Sequence, residues 1–538
     1  MKILAKYFSA IIIAVIINFT IQAQTSAPTN DINTYIHTTW DALTRTHQDL
    51  AKMVDVKIEE IATAPKSIVY ISSKENLATI TQQLQSELPA SVFKQINIEV
   101  LPQDVATIKN QGILYLPYPF VVPGGRFNEM YGWDSYFIVL GLLEDNRVAL
   151  AKDIVNNFIY EINYYGTVLN ANRSYYLQRS QPPLLTEMIL AVYQTTHDKA
   201  WLQSTLPAVL QFYDYWLKAP RLVSDIGLSR YYADGEGPSP EVTSSENFYP
   251  EALSYFKNNA IHSYDIASYY DSKSNTLKPA FYKSDRTVRE SGFDLSGRYG
   301  PLGAMITNFV PIDLNSLLYE MESNIATIYQ ILQQPKQVDF WKQKASTRKQ
   351  LINHYLWDPT LGYYFDYDFI NQRQYPYIFA TTFYPLWAGI ASPAQAAKVV
   401  QNLPSLERPG GIVSSAYVTG YQWDAPFAWA PLQYFAVVGL ARYGYCEQAK
   451  RIATDFMTTV NKNYELSHTI VEKYNLASND QLNVKNNIAF GYLSNEIGFG
   501  WTNGVYAVFA DFLAHPKMWC QIKQPQRSLL TKNIMQNA

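Results

Sequence analysis

Two cysteines, Cys446 and Cys520, are all that the 538 residues contain. So few exclude a zinc ribbon and a disulfide-built scaffold. One bridge between them is open in an oxidising compartment, and buried free thiols are the other reading. Neither sign of charge dominates: 43 Lys+Arg stand against 46 Asp+Glu, a formal net charge of -3. Mild acidity argues against nucleic acid or an anionic membrane as partner. Short repeats and low-complexity tracts are missing, and charged residues are only 17% of the chain against 48% hydrophobic. That sets disorder aside and leaves room for one large domain or two to three ordinary ones. A long apolar run occurs at Phe8 to Ile21, behind Lys2 and Lys6 and ahead of Ile21-Gln22-Ala23. It has the charged start, apolar middle and small-residue cut of a secretory leader, and is short for a spanning helix. The reading is a signal peptide over 1–23 and an exported mature chain, periplasmic or secreted, with no membrane attachment after cleavage.

Aromatic residues are what the chain has in excess: 42 Tyr, 25 Phe and 11 Trp, 14% in all. They concentrate in Pro123-Gly124-Gly125-Arg126-Phe127-Asn128-Glu129-Met130-Tyr131-Gly132-Trp133-Asp134-Ser135-Tyr136-Phe137. Glycines let backbone approach a ligand, Arg and acids give directional hydrogen bonds, and flat rings give faces for an amphipathic ring. A sugar fits that set. Elsewhere helical spacing recurs in Thr38–Asp55, Asn76–Leu88, Val148–Tyr164, Leu184–Thr195, Ala200–Leu217, Leu314–Leu332, Val338–Leu356, Pro393–Gln401, Pro431–Tyr445, Cys446–Lys462 and Val505–Ala514, with one strand at Ser67–Ser72. Long links at 165–183, 228–262, 290–313, 357–389, 407–430 and 472–504 carry Gly, Pro, rings and charges. Structureless links of that length belong to function, which predicts a ring of helices with loops gathered at one end.

Chemistry on sugars needs two carboxyl groups across the scissile bond, one protonated and one ionised. Glu290-Ser291-Gly292-Phe293-Asp294-Leu295-Ser296-Gly297-Arg298 offers a carboxyl beside a ring, with Arg298 four residues on. The ring raises its pKa and a nearby guanidinium lowers it. Gln422-Trp423-Asp424-Ala425-Pro426-Phe427-Ala428-Trp429-Ala430-Pro431 sets two indoles about an Asp before a helix, and Gly491-Tyr492-Leu493-Ser494-Asn495-Glu496-Ile497-Gly498-Phe499-Gly500-Trp501 surrounds Glu496 with glycines and rings. Asn172 through Arg179, Gln181 and Pro183 adds amide and guanidinium donors before a helix start.

The Pro123–Phe127 and Trp133–Phe137 blocks resemble the first signature of the trehalase family of glycoside hydrolases, and Gln422–Pro431 resembles its second. Arg179–Pro183, Glu290–Asp294 and Gly498–Gly504 fall in the family's order, so the likeness runs from about Leu116 to Ala514. It implies an all-α (α/α)6 toroid barrel, no metal or cofactor, and hydrolysis of α,α-trehalose to two glucose molecules with inversion. Residue by residue it implies Asp294 as general acid. Arg126, Phe127, Trp133, Asp134, Asn172, Arg179 and Gln181 hold one glucose ring, with Trp423 and Asp424 from the second signature and Glu241 at the other sugar. Three departures stand out: Ser239 where the family has Arg, a more apolar Ala425, Phe427 and Ala428 in the second signature, and Tyr492 where the family's base Glu falls. Glu496 is then the expected base, with Glu472 and Asp480 in reserve. The rival readings are another α-glucoside as substrate and a trehalose-binding protein that has lost its base. The domain reading is a mostly helical extension over 24–110 packed on the barrel, a catalytic unit over 111–523, a polar tail over 524–538, and a monomer.

Overall fold

The structure, a computed structural model, describes residues 31–58, 66–245, 247–478, 481 and 488–520; the expected leader, Asp480 and the polar tail lie outside them. The N-terminal part begins with α1 (Ile32–Leu43), capped by the Asp31 side chain on the Asn33 and Thr34 amides. Helix thus starts and stops earlier than the Thr38–Asp55 periodicity implies. β1 (Ser67–Ile71), α2 (Leu77–Glu87), β2 (Ile96–Val100) and β3 (Ile113–Leu114) follow, with β1 between β2 and β3 in a small parallel sheet.

The helices that follow are α3 (Asp134–Glu144), α4 (Val148–Tyr165), α5 (Leu185–Thr196), α6 (Lys199–Leu217), α7 (Pro279–Glu290), α8 (Ile312–Ile331), α9 (Pro335–Tyr355), α10 (Tyr384–Trp387), α11 (Pro393–Gln401), α12 (Ala430–Arg442), α13 (Cys446–Ser467) and α14 (Gly500–Ala514), and all but α7 alternate between an inner and an outer position. Contacts run α3 to α5, α5 to α8, α8 to α10, α10 to α12, α12 to α14 and α14 back to α3, a closed inner ring. Behind it stand α4, α6, α9, α11 and α13, and α1 supplies the sixth outer helix against α14. This is an (α/α)6 barrel. Inner helices are largely buried all round: in α12 every residue from Ala430 to Ala441 is buried. Outer helices carry one apolar stripe, as Ala449, Ile452, Ala453, Phe456 and Val460 do in α13.

The ring closes where α14 meets α3, and glycine makes that possible. A Cβ on Gly504 would lie 2.0 Å from the Phe137 carbonyl oxygen, and one on Gly141 2.6 Å from the Gly504 Cα. Cys446, at the start of α13, is disulfide-bonded to Cys520 with Cα atoms 6.0 Å apart. Among the described residues no helix is long and apolar enough to cross a membrane.

Candidate active site

Asp134 at the start of α3, Trp501 at the start of α14 and residues of the segments ahead of α5, α8 and α12 line one cavity at an end of the barrel, with the positive ends of α3 and α14 toward it. This cavity of about 90 Å³ is walled by Arg126, Phe127, Tyr131, Trp133, Asp134, Asn170, Tyr176, Arg179, Gln181, Glu241, Arg289, Asp294, Gln422, Trp423, Glu472, Tyr492, Phe499 and Trp501, with Lys57 from the N-terminal part. The mixture of rings with a few convergent charges suits a small polar ligand.

Each wall has a support. The Trp133 amide donates to Gln181 Oε1 at 2.9 Å, and the Trp133 ring meets Phe293, Trp423 and Trp501 at 5.5, 5.8 and 5.7 Å. Trp423 in turn lies flat on Trp429, centroids 3.9 Å apart. The loop carrying Asp294 is pinned by Arg298, which is wholly buried and does not turn toward Asp294. Its Nε donates to Asp366 Oδ2 at 2.7 Å and its Nη2 pairs with Asp313 at the start of α8. Arg289 Nη1 stands 3.5 Å from Oδ2 of Asp294. Behind Phe127 and Tyr131 lies a buried ion network: Lys57 Nζ reaches Glu129 at 2.9 Å and Asp55 at 3.2 Å, and Arg173 Nε reaches Glu129 at 2.8 Å.

Among the described residues four carboxyl groups face the cavity: Asp134, Glu241, Asp294 and Glu472. Burial raises Asp134 well above the usual aspartate range, and the charges of Glu472 and Asp294 add to it. Burial also raises Glu472, opposed by Lys473, by a hydrogen bond from the Tyr492 hydroxyl and by Arg126. Glu241 goes the other way: burial pushes it up, but Arg179, 2.5 Å away, and Arg289 hold it below the usual value.

Of the residues expected from sequence, Arg126, Phe127, Trp133, Asp134, Arg179, Gln181, Glu241, Asp294 and Trp423 come together in the cavity wall. Asn172, Asp424 and Glu496 stand behind it. Asn172 is spent on backbone, accepting from the Met130 amide at 2.8 Å and donating to the Leu114 carbonyl at 3.1 Å. Asp424 accepts from the Gly297 amide, Tyr377 and Thr419 at 2.9, 2.9 and 2.6 Å, which fixes the turn after Asp294. Glu496 accepts from the Arg126 amide at 2.8 Å and from Ser494 at 2.6 Å, against Gly125. Its carboxylate shapes the Gly124-Gly125-Arg126 turn, and the acid on the wall from this part of the chain is Glu472. Sequence reasoning passed over Lys57, Asn170, Tyr176 and Arg289. Lys57 carries no local signal, being one Lys in a segment that contacts the barrel only through the fold.

An (α/α)6 barrel with facing carboxyls, guanidinium groups and indoles at one end defines a glycoside hydrolase of the barrel-loop type. The trehalase family model matches residues 11–514, and the chain belongs to the trehalase family. It is 36% identical to a cytosolic neutral trehalase of Emericella nidulans over 84% of this chain and 67% of that one. With a cytosolic neutral trehalase of Saccharomyces cerevisiae it shares 39% identity over 74% of this chain and 57% of that one. The chain therefore spans roughly three-fifths of the length of these curated relatives. Among solved structures, neutral trehalase Nth1 from Saccharomyces cerevisiae superposes with a TM-score of 0.75 at 32% identity, covering 93% of this chain and 97% of that one. A mannosylglycerate hydrolase from Thermus thermophilus, at 17% identity and a TM-score of 0.50, shares the fold. The relatives' names also correct one expectation. They are named cytosolic, which contradicts the expected export to periplasm or medium; the residues read as a leader lie outside the described part.

Proposed function

We propose that the chain hydrolyses α,α-trehalose to two glucose molecules with inversion, Asp294 acting as general acid and Glu472 as general base. One observation carries the pairing: Asp294 and Glu472 come from loops far apart in sequence yet line the same cavity, while Glu496 is engaged behind it. Asp294 gives its proton to the glycosidic oxygen, and that C–O bond breaks. Glu472 takes a proton from water, whose oxygen bonds to the anomeric carbon from the opposite face. One glucose leaves as the β anomer and the other as the α anomer. Asp134, Arg126, Arg179 and Gln181 supply donors and acceptors for ring hydroxyls, Trp133, Phe127 and Trp423 supply faces, and Glu241 with Arg179 and Arg289 binds the second sugar. A catalytic unit over 111–523 completed by α1 and Lys57 of the N-terminal part, one chain per active unit and trehalose as the partner molecule are part of the same proposal.

Glucose release from a panel of α-glucosides, with the anomers followed by NMR at early times, tests this. Equal α and β glucose from trehalose is expected. Turnover of a different α-glucoside in preference to trehalose favours the rival substrate, which the small Ser239 beside Arg179 supports, the two side chains being 3.4 Å apart. No turnover of any α-glucoside with trehalose binding intact leaves only a binding protein.

A further inference from the structure

Strand Lys473–Asn475 and the segment that follows it in space, Gly491 to Glu496, are knitted around Glu472 in a way the reaction scheme above does not use. The Lys473 amide donates to Asn495 Oδ1 at 3.1 Å, and Asn495 Nδ2 returns to the Lys473 carbonyl at 2.8 Å. The Lys473 ammonium donates to the Ser494 carbonyl at 3.0 Å and stands 3.7 Å from the centre of the Tyr492 ring. The Arg126 guanidinium stands 4.4 Å from that same ring centre. Two cations on one phenol ring draw its electrons and strengthen its hydroxyl as a donor. That hydroxyl donates to Oε1 of Glu472, while Oε2 stands 3.5 Å from the Lys473 ammonium and has no hydrogen-bond partner among the described residues.

We propose that Tyr492 is a positioning residue for the base: its cation-flanked phenol grips one oxygen of Glu472 and leaves the other for the attacking water. The inference rests on Glu472 being the base. Burial and the Glu472 charge keep Tyr492 protonated far into alkaline pH, so it donates throughout the working range. The charged groups that act on the Glu472 carboxyl are Lys473 beside it, Arg126 from the glycine turn, Glu496 beyond Tyr492, and Asp134 at the start of α3. Among these Tyr492 is the neutral donor. Its bond favours the ionised carboxylate, so removing it raises the pH at which the base loses its charge.

The test is Tyr492→Phe in the full chain, with trehalose as substrate. The expected result is a kcat lower by about 10- to 100-fold, a KM within about threefold, and an acid limb of kcat/KM moved to higher pH. Site-specific 3,5-difluorotyrosine at 492, which keeps the ring and makes the phenol a better donor, moves the limb to lower pH; it also serves if the Phe variant does not fold. An unmoved limb in both variants, or a kcat within about twofold of the parent in Tyr492→Phe, overturns the inference. Glu472→Gln run alongside separates the two ideas. Its loss of activity with an unmoved limb in the Tyr492 variants sinks only the role of Tyr492, whereas its full activity sinks both.

Discussion

At the scale of single residues, two carboxylates of one loop region differ in what surrounds them. Glu472 is buried on the cavity wall, while Glu496 closes hydrogen bonds to a backbone amide and a hydroxyl. Replacing a true general base costs roughly 10²–10⁴-fold in rate. Steady-state kinetics on Glu472→Gln should show that loss, and Glu496→Gln should keep kcat within about tenfold while raising KM, because the turn that presents Arg126 loosens. The raised Glu472 carboxyl sets a pH dependence as well. The base works only when ionised, so activity falls as pH falls through a value above the ordinary 4.5 of a glutamate; a limb at or below 4.5 in the kcat/KM profile would contradict this assignment. Lys57 is the third case. Lys57→Met leaves Asp55 and Glu129 with Arg173 alone, and breaking a buried ion pair costs about 3–5 kcal/mol. Chemical denaturation should show that destabilisation, and KM should rise as the Phe127 and Tyr131 wall shifts.

At the scale of elements, α3, α14 and the pair α5 and α8 show what the ring demands. Gly504→Ala drives a methyl into the backbone of α3, and overpacking of this kind costs about 1–3 kcal/mol or more. A lower thermal midpoint is expected. On α5 and α8, Glu187 and Glu320 face one another near Arg442, with Asn324 donating to Glu187. Burial raises Glu320 to about 8, with the Glu187 charge adding and Arg442 opposing. The folded state then holds a proton that the unfolded chain releases near 4.5, so the folded state binds more protons between these values. The stabilisation from this pair is complete below the unfolded value and is lost as pH rises toward about 8. Denaturation midpoints measured across that window should fall for the parent and stay flatter for Glu320→Gln.

At the scale of the whole molecule, the N-terminal part is woven into the barrel rather than appended to it. Trp40 on α1 is fully buried, and its ring lies where a Cβ on Gly141 would fall, at 2.8 Å. A chain begun at residue 111 lacks both the sixth outer helix and Lys57, and is expected to be insoluble or inactive when expressed alone, as sedimentation and glucose release would report. Periodicity made the long helices legible. The spacing in Val148–Tyr164, Leu184–Thr195 and Pro393–Gln401 meets α4, α5 and α11 within one or two residues. Among the barrel helices α3, α7 and α10 escaped it for physical reasons: α3 is buried on every side from Asp134 to Leu142, so no polar face marks a period. α7 buries Lys283, Asp285, Arg286, Arg289 and Glu290, so no apolar stripe exists to be read. α10 is one turn long and starts with a proline at its first positions.

The cavity was legible to the same extent and no further. Local sequence by itself determined that the chain is a large, mostly helical body rich in rings, and that its signatures resemble those of the trehalase family, since spacing and residue type are properties of neighbours along the chain. Which carboxyl faces the cavity is not such a property. Glu496 sits among glycines and rings and Glu472 in an ordinary-looking strand edge, yet it is the fold that turns Glu496 onto the Arg126 amide and Glu472 onto the cavity wall. Only the tertiary structure decided that, together with the entry of Lys57 and the withdrawal of Arg298 to Asp313 and Asp366, because each depends on groups tens to hundreds of residues away.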